Sequence, residues 1–458
     1  MPKETISFID NPQESGLFYQ NPLPISDIGD PYVMRAENGK YYLFCTSAAD
    51  GYYCWRSDDL VHWEDKKIKC YTYGKDAWAD HSFWAPEVVE YNHKYYMFYT
   101  AGGKDISLRI GLAVADQPEG PYEDVYDHPL FDFGYAVIDA HVFIDEDGQK
   151  YLYYAKDCSE NEILGTRKSE IYGIKLSEDM MQTEGEPVKL LTPEQPWELA
   201  SSNPLWNEGP ELIKHDGRYY LTYSANYYAS KSYSVGYATA DSPLGPYEKA
   251  EENPILTAGF YEEISGPGHH SMIYMPQEEV LYFVYHTHTN PKEGGGNRQV
   301  NLDQAFFDEE GRLCVSGPTV SLQPLPSASL KAKWIISDQE GTQPHLQDGL
   351  FSIHKGDSDR DVRLKTNAKG EAQLKIRLEE TVEVQGLMIY RGSDSAYDFT
   401  KASLLFNGQA VASGLMCPKK QEDRAAIALF EPRSCSNITV TLFAEPNTEI
   451  TISEIRLL

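Results

Sequence analysis

The chain has 458 residues and a net charge of −30, with 70 acidic side chains against 40 basic ones. So negative a surface repels nucleic acid and anionic membranes, and a neutral substrate is compatible with it. The length allows two or three domains with cores of their own, and no apolar run is long enough to span a bilayer.

The N-terminal MPKETISFIDNPQESG lacks the apolar stretch of an export signal. The seven cysteines (Cys45, Cys54, Cys70, Cys158, Cys314, Cys417, Cys435) are odd in number and form no CxxC pair. A reducing, cytoplasmic setting is the expectation. Further on, five segments open alike: IGDPYVMR at Ile28, FWAPEVVE at Phe83, IDAHVFID at Ile138, NEGPELIK at Asn207 and GHHSMIYM at Gly268. Each leads to an aromatic run: KYYLFCTS, KYYMFYTA, KYLYYAK, RYYLTYSA and VLYFVYHT. A unit recurring at this period signals a repeat architecture.

In the first unit, DPYVMRAENGKYYLFCTS predicts two strands about Asn38-Gly39, a hairpin turn pair. GYYCWRSDD gives a third strand and VHWEDKKI a fourth. The later units add LRIGLAVAD with PYEDV, IYGIKLSED with EPVKLL, YSVGYATAD with PYEKA, and RQVNLDQAFFDEEGRLCV. ADQPEGPYED (from Ala115) and ADSPLGPYEK (from Ala240) match almost literally and fix the repeat register. The longest spacing, third to fourth, holds an extra loop, CSENEILGTRK. Long helical periods are missing, and four-stranded units repeated radially predict an all-β fold, a five-bladed β-propeller over residues 1–325. LQPLPSASLKAK reads as a linker. The alternating strands AQLKIRLEE, VQGLMIYRG, ASLLFNGQ, AAIALFE, NITVTLFAE and ITISEIRLL predict a β-sandwich over 326–458. Bracing and contact within a homo-oligomer are favoured over sugar binding for it, since Trp334 is its one tryptophan.

Asp30, Asp139 and Glu208 stand at nearly equivalent places in three openings, and equivalent places in a closed ring face one centre. Glycoside hydrolysis needs two carboxyl groups about the scissile bond, one to protonate the departing oxygen, the other to activate water or attack carbon. A third acid nearby keeps the first protonated by like-charge repulsion. Glu211 and Glu87 are rivals that fall deeper in the first strand, and Asp27 matches no motif. Singly, each residue has a plainer role: Asp30 in an Asp-Pro turn, Asp139 at a strand end, Trp84 in a core, His269 and His270 buried, Arg298 in a surface ion pair. The ordered trio of acids is what those roles leave unexplained. Gly294-Gly295-Gly296 lacks a following P-loop lysine and reads as a loop over the pocket.

By its five openings the chain resembles the family 43 glycoside hydrolases, from Asn21 to Val315. The resemblance implies an inverting hydrolase of the arabinofuranosidase, xylosidase and arabinanase group. It implies Asp30 as general base, Asp139 as pKa modulator and Glu208 as general acid. It also implies Trp84 lining the sugar pocket, Arg298 reaching the sugar of the innermost subsite, and an axial His269 that touches substrate or ligates calcium. No cofactor is required; a structural calcium at the propeller axis is optional, since a lone histidine is a weak ligand for it. The expected substrate is an arabinan- or xylan-derived oligosaccharide cut by exo action at a terminal α-L-arabinofuranose or β-D-xylose. An endo-arabinanase and a non-catalytic carbohydrate-binding propeller are the alternatives. A retaining sister group opens with an Asn-Asp-Pro-Asn-like motif, where this chain has Gly-Asp-Pro-Tyr.

Overall fold

The computed structural model describes residues 15–258, 263–277, 279–330, 332–350, 361–392, 398–416 and 425–458. Most of the N-terminal stretch read above for an export signal, and Cys417, lie outside them. The architecture is all-β: a five-bladed propeller followed by a β-sandwich.

The blades follow one another along the chain. Blade 1 is Ser26–Arg35, Tyr41–Ala48, Gly51–Ser57 and Ile68–Thr72; blade 2 is His81–Tyr91, Lys94–Gly103, Ile106–Ala115 and Glu123–Asp124. Blade 3 is Val137–Ile144, Lys150–Lys156, Thr166–Leu176 and Thr183–Leu191; blade 4 is Leu205–His215, Arg218–Ala225, Ser234–Ala240 and Glu248–Lys249. Blade 5 is Gly268–Met275, Val280–His288, Arg298–Phe307 and Leu313–Val315. It joins blade 1 by the Ile28 to Arg298 pairing, which closes the ring. The tyrosines of the second strands account for much of the packing between blades: Tyr42, Tyr99, Tyr153, Tyr154, Tyr223 and Tyr285 are fully buried. Aromatic residues suit such a packed, pleated setting.

Three local readings are corrected. The fourth strand of blade 1 is not VHWEDKKI but begins at Ile68. The segment before it is wound into a turn: the Asp59 carboxylate accepts the Val61 and His62 N–H groups (3.0 and 2.7 Å), and Trp63 Nε1 donates to the Leu60 carbonyl. The extra loop of blade 3 is a small hairpin, Glu162–Ile163 pairing with Thr166 and Arg167. The linker is no exposed tether. Gln323–Pro324 pairs with Phe18–Tyr19, and Leu325 and Ala328 sit in the core cluster that holds Tyr19, Val300 and Leu302. Proline carries no N–H to leave unsatisfied, so a Pro-rich segment can be buried at low cost.

In the sandwich, segments read as separate strands are continuous: Glu371–Arg391 and Ala425–Phe443 pair along their length and shift register midway. Beyond the shift Glu371–Arg391 lies between Ala425–Phe443 on one side and Glu449–Leu457 on the other. Residues from both layers, among them Ile376, Leu387, Val440 and Ile452, share one core. The outer face of the second layer, with Met388, Tyr390, Ile427 and Leu429, packs on Phe18 and Leu322 of the propeller side.

Candidate active site

Every first strand loses register at the same point: after Gly29, Trp84, Ile138, Glu208 and Gly268 in turn. The next residue is left-handed in each case: Asp30 (φ 54°), Ala85 (41°), Asp139 (60°), Gly209 (55°) and His269 (41°). A bulge re-aims a side chain, and left-handed non-glycine residues are strained and concentrate at functional sites. Asp30, Asp139 and His269 are therefore strictly equivalent. Glu208 stands one residue earlier, at the position Trp84 holds in blade 2, which refines the near-equivalence read from the sequence.

The N–H of each bulge residue is satisfied from the preceding blade. Ala85 donates to Thr46 Oγ1 (2.8 Å), Asp139 to Thr100 Oγ1 (3.0 Å), His269 to Ser224 Oγ (2.8 Å) and Asp30 to His286 Nδ1 (3.3 Å). Thr46, Thr100, Ser224 and His286 share one register position, opposite Gly29, Trp84, Glu208 and Gly268. In blade 3 that position is Ala155, opposite Ile138, which has no acceptor. There the Gly209 N–H donates instead to Asp139 Oδ2 (2.9 Å). One missing hydroxyl thus aims the Asp139 carboxylate at the backbone beside Glu208.

Asp30 is clamped. Arg298 Nη1 donates to its Oδ1 (2.7 Å) and Thr46 Oγ1 to its Oδ2 (2.6 Å), with His269 Nδ1 and His286 Nδ1 at 3.4 and 3.8 Å. Burial opposes its charge, but Arg298, the two histidines and the threonine outweigh it and hold the carboxyl well below the usual range. Glu208 is the reverse case. Burial first, then the neighbouring Asp139 and Asp30, push it well above the usual range, against the pull of the Tyr233 hydroxyl donating to its Oε1 (2.8 Å). Asp139 is pushed up to about 6, chiefly by burial and in part by Asp30, while His269 and the Gly209 N–H draw it down. One site thus sets a carboxyl whose ionised form is favoured beside one whose protonated form is favoured, the pairing acid–base chemistry needs.

Trp84 is 40% exposed beside this cluster, so it is not core packing. Glu87 and Glu211 lie deeper along their strands: Glu87 meets His141 Nδ1 (2.8 Å), and Glu211 accepts the Met272 N–H. His270 is buried against Thr222 Oγ1 (2.7 Å), and Asp27 is exposed. Sequence reasoning passed over Thr46, His286, Tyr233 and Tyr228, whose ring lies under the Arg298 guanidinium (4.8 Å). The first two had a signal: aligning the ends of the aromatic runs sets Thr46, Thr100, Ala155, Ser224 and His286 in one column. Among the described residues no cluster of three or more His, Cys, Asp or Glu side chains could hold a metal. Calcium takes about six to eight oxygens, whereas His269 faces one carboxylate already bound by a guanidinium, so no step is assigned to a metal.

Gly29 leaves the room that Arg298 fills: a Cβ there would lie 1.9 to 2.5 Å from the guanidinium. Gly29→Ala is expected to fold, because the displaced group is the end of a flexible side chain. It should lose most activity and raise the acid limb of the pH–rate profile, since Asp30 loses the cation that keeps it ionised. A pH series of kcat/KM checks this.

The family model described as Glycosyl hydrolases family 43 matches residues 19–313. A crystal structure of a thermostable family-43 glycoside hydrolase is 48% identical, with a TM-score of 0.65, covering 67% of this chain and 99% of its own. The β-D-galactofuranosidase xynD of Aspergillus niger is 27% identical over 64% of this chain and 83% of its own length. A xylosidase/arabinosidase of Bacteroides ovatus is 26% identical over 57% and 82%. A xylan β-1,4-xylosidase structure from Bacillus halodurans, 17% identical with a TM-score of 0.55, covers 96% of this chain and 99% of its own, and so shares its fold across both domains.

Proposed function

Because the chain belongs to glycosyl hydrolase family 43, and is a glycoside hydrolase acting on carbohydrate, we propose that it is an inverting exo-enzyme releasing a terminal pentose. The pentose is α-L-arabinofuranose or β-D-xylose, carried on short arabinan- or xylan-derived oligosaccharides. The observation that carries this reading is the contrast across one cluster: Asp30 is paired with the Arg298 guanidinium (2.7 Å), which lowers its pKa, while Glu208 is buried beside Asp139 and Asp30, which raise its own. Glu208 gives its proton to the glycosidic oxygen as the C1–O bond breaks. Asp30 takes a proton from water as the water oxygen bonds to C1 from the other face. Asp139 keeps Glu208 protonated through its charge and is fixed by the Gly209 N–H. Arg298 holds Asp30 ionised and reaches the terminal sugar, with His269 beside it and Trp84 against the sugar's apolar face.

Exo action is supported by depth: the side chains of Asp30 and Arg298 are only 12% and 10% exposed, so a chain end reaches them more readily than a chain middle. Relatives named as xylosidase/arabinosidase, β-xylosidase and exo-α-(1→5)-L-arabinofuranosidase support the pentose. A cytoplasmic enzyme would meet short oligomers, and all six described cysteines are free thiols. A panel of pentobioses, trisaccharides and debranched arabinan tests the reading. Monosaccharide released from chain ends is expected, and early internal cleavage of polymer would refute exo action.

A further inference from the structure

Neither the aromatic wall of blade 4 nor the extra hairpin of blade 3 takes part in the proton transfers of Asp30 and Glu208. Trp206 lies two residues before Glu208 on Leu205–His215, ahead of the register break. Residues two apart on a strand point to the same side, roughly 6 to 7 Å from each other, and the residue between them points away. Asn207 does point away: it is fully buried, donates to Glu198 Oε1 (3.2 Å) and accepts from Lys249 Nζ (3.3 Å). Glu198 and Lys249 are themselves a buried ion pair at 2.6 Å. The strand is thereby fixed in rotation, and Trp206 is held on the Glu208 side, one pleat nearer the mouth.

The Trp206 ring packs on Tyr227 with centroids 5.2 Å apart, and Tyr227 remains 42% exposed. Tyr227 in turn packs on Tyr228, which carries the Arg298 guanidinium. The blade 3 hairpin buttresses this wall. Lys168 and Ser169 pair in parallel with Leu205 and Trp206, and Arg167 N donates to Asn203 Oδ1 (3.0 Å). At the hairpin tip Leu164 is left-handed and wholly exposed.

We propose that Trp206 and Tyr227 form the subsite for the leaving-group sugar of an oligosaccharide substrate. The inference rests on Glu208 as the proton donor. Glu208 must reach the glycosidic oxygen, the leaving unit begins at that oxygen, and the next side chain outward on the same side is Trp206. A neutral sugar presents an apolar C–H face that an aromatic ring covers. The blade 3 hairpin, the insertion that lengthens the third repeat, holds the platform in place.

The test compares Trp206→Ala and Tyr227→Ala on the pentobiose that the wild type cleaves and on the methyl glycoside of the same pentose. For both variants kcat/KM on the disaccharide is expected to fall about fivefold to tenfold, while the methyl glycoside, which has no second ring, changes little. Tyr227 is a surface residue, so Tyr227→Ala guards against a folding defect. Equal losses on both substrates, or none on either, would overturn the subsite. A wild type that cleaves no pentoside of either kind would instead remove the functional reading, and the subsite with it.

Discussion

Glu208→Gln is expected to lower kcat on an unactivated pentobiose about 100- to 10,000-fold, the usual span of a general acid's contribution. On a dinitrophenyl pentoside, whose leaving group departs without a proton, the loss should be far smaller. The replacement is nearly isosteric and can keep the Tyr233 contact, so the difference reports proton donation rather than packing. The pH profile gives an independent reading. With burial, Asp139 and Asp30 all raising the Glu208 pKa, the alkaline limb of kcat/KM should lie above the ordinary glutamate value of about 4.3. Asp139→Asn removes one of the raising charges and should move that limb to lower pH. In Glu208→Gln, assayed on the activated substrate, the limb should vanish. Equal loss on both substrates with an unmoved limb would assign the proton to another group, Glu211 being the nearest rival by sequence.

Asp30→Asn has the second large effect, with a different signature. Water must be deprotonated whatever the leaving group, so activity on both substrates should fall together, again about 100- to 10,000-fold. The substitution also strips the nearly buried Arg298 of its counter-charge, and breaking such a pair by removing one partner costs about 3–5 kcal/mol. A lower Tm is therefore expected alongside the lost activity. Asp30→Asn combined with Arg298→Met should recover much of the stability and none of the activity. Calorimetric titration with the pentobiose should still show binding to Asp30→Asn, which separates a disabled enzyme from a propeller that only binds sugar.

The parts of this site visible in the sequence are those that one chain segment announces by itself. Asp30 before Pro31, Asp139 before Ala140-His141 and Glu208 before Gly209-Pro210 recur with the repeat, so their convergence follows from ring closure alone. The one-residue offset of Glu208 was not visible, because it depends on where each strand bulges, and a bulge is a property of two paired strands. The hydroxyls of Thr46, Thr100 and Ser224 act across a blade boundary, and nothing in the local sequence says which neighbour they serve. Ala155 is the sharpest case: an unremarkable alanine that aims Asp139 by failing to accept a hydrogen bond. In the sandwich, polar and bulged stretches inside Glu371–Arg391 and Ala425–Phe443 looked like strand ends, since alternation of burial lapses where a strand crosses between layers. The buried Pro324–Ala328 segment reads as a linker because its composition is that of one; Gln323 pairs with Tyr19, 304 residues away in sequence, which leaves no local trace.

The central claim is that Asp30 activates water while Glu208 supplies the proton, so the bond at C1 is made and broken once. Proton NMR of the sugar first released from an anomerically pure pentobiose, recorded before mutarotation, tests it most directly. The account predicts that the new reducing end appears in the anomeric form opposite to that of the substrate. Initial release with the substrate's own configuration would mean two displacements through a covalent intermediate, and would contradict the roles given to Asp30 and Glu208.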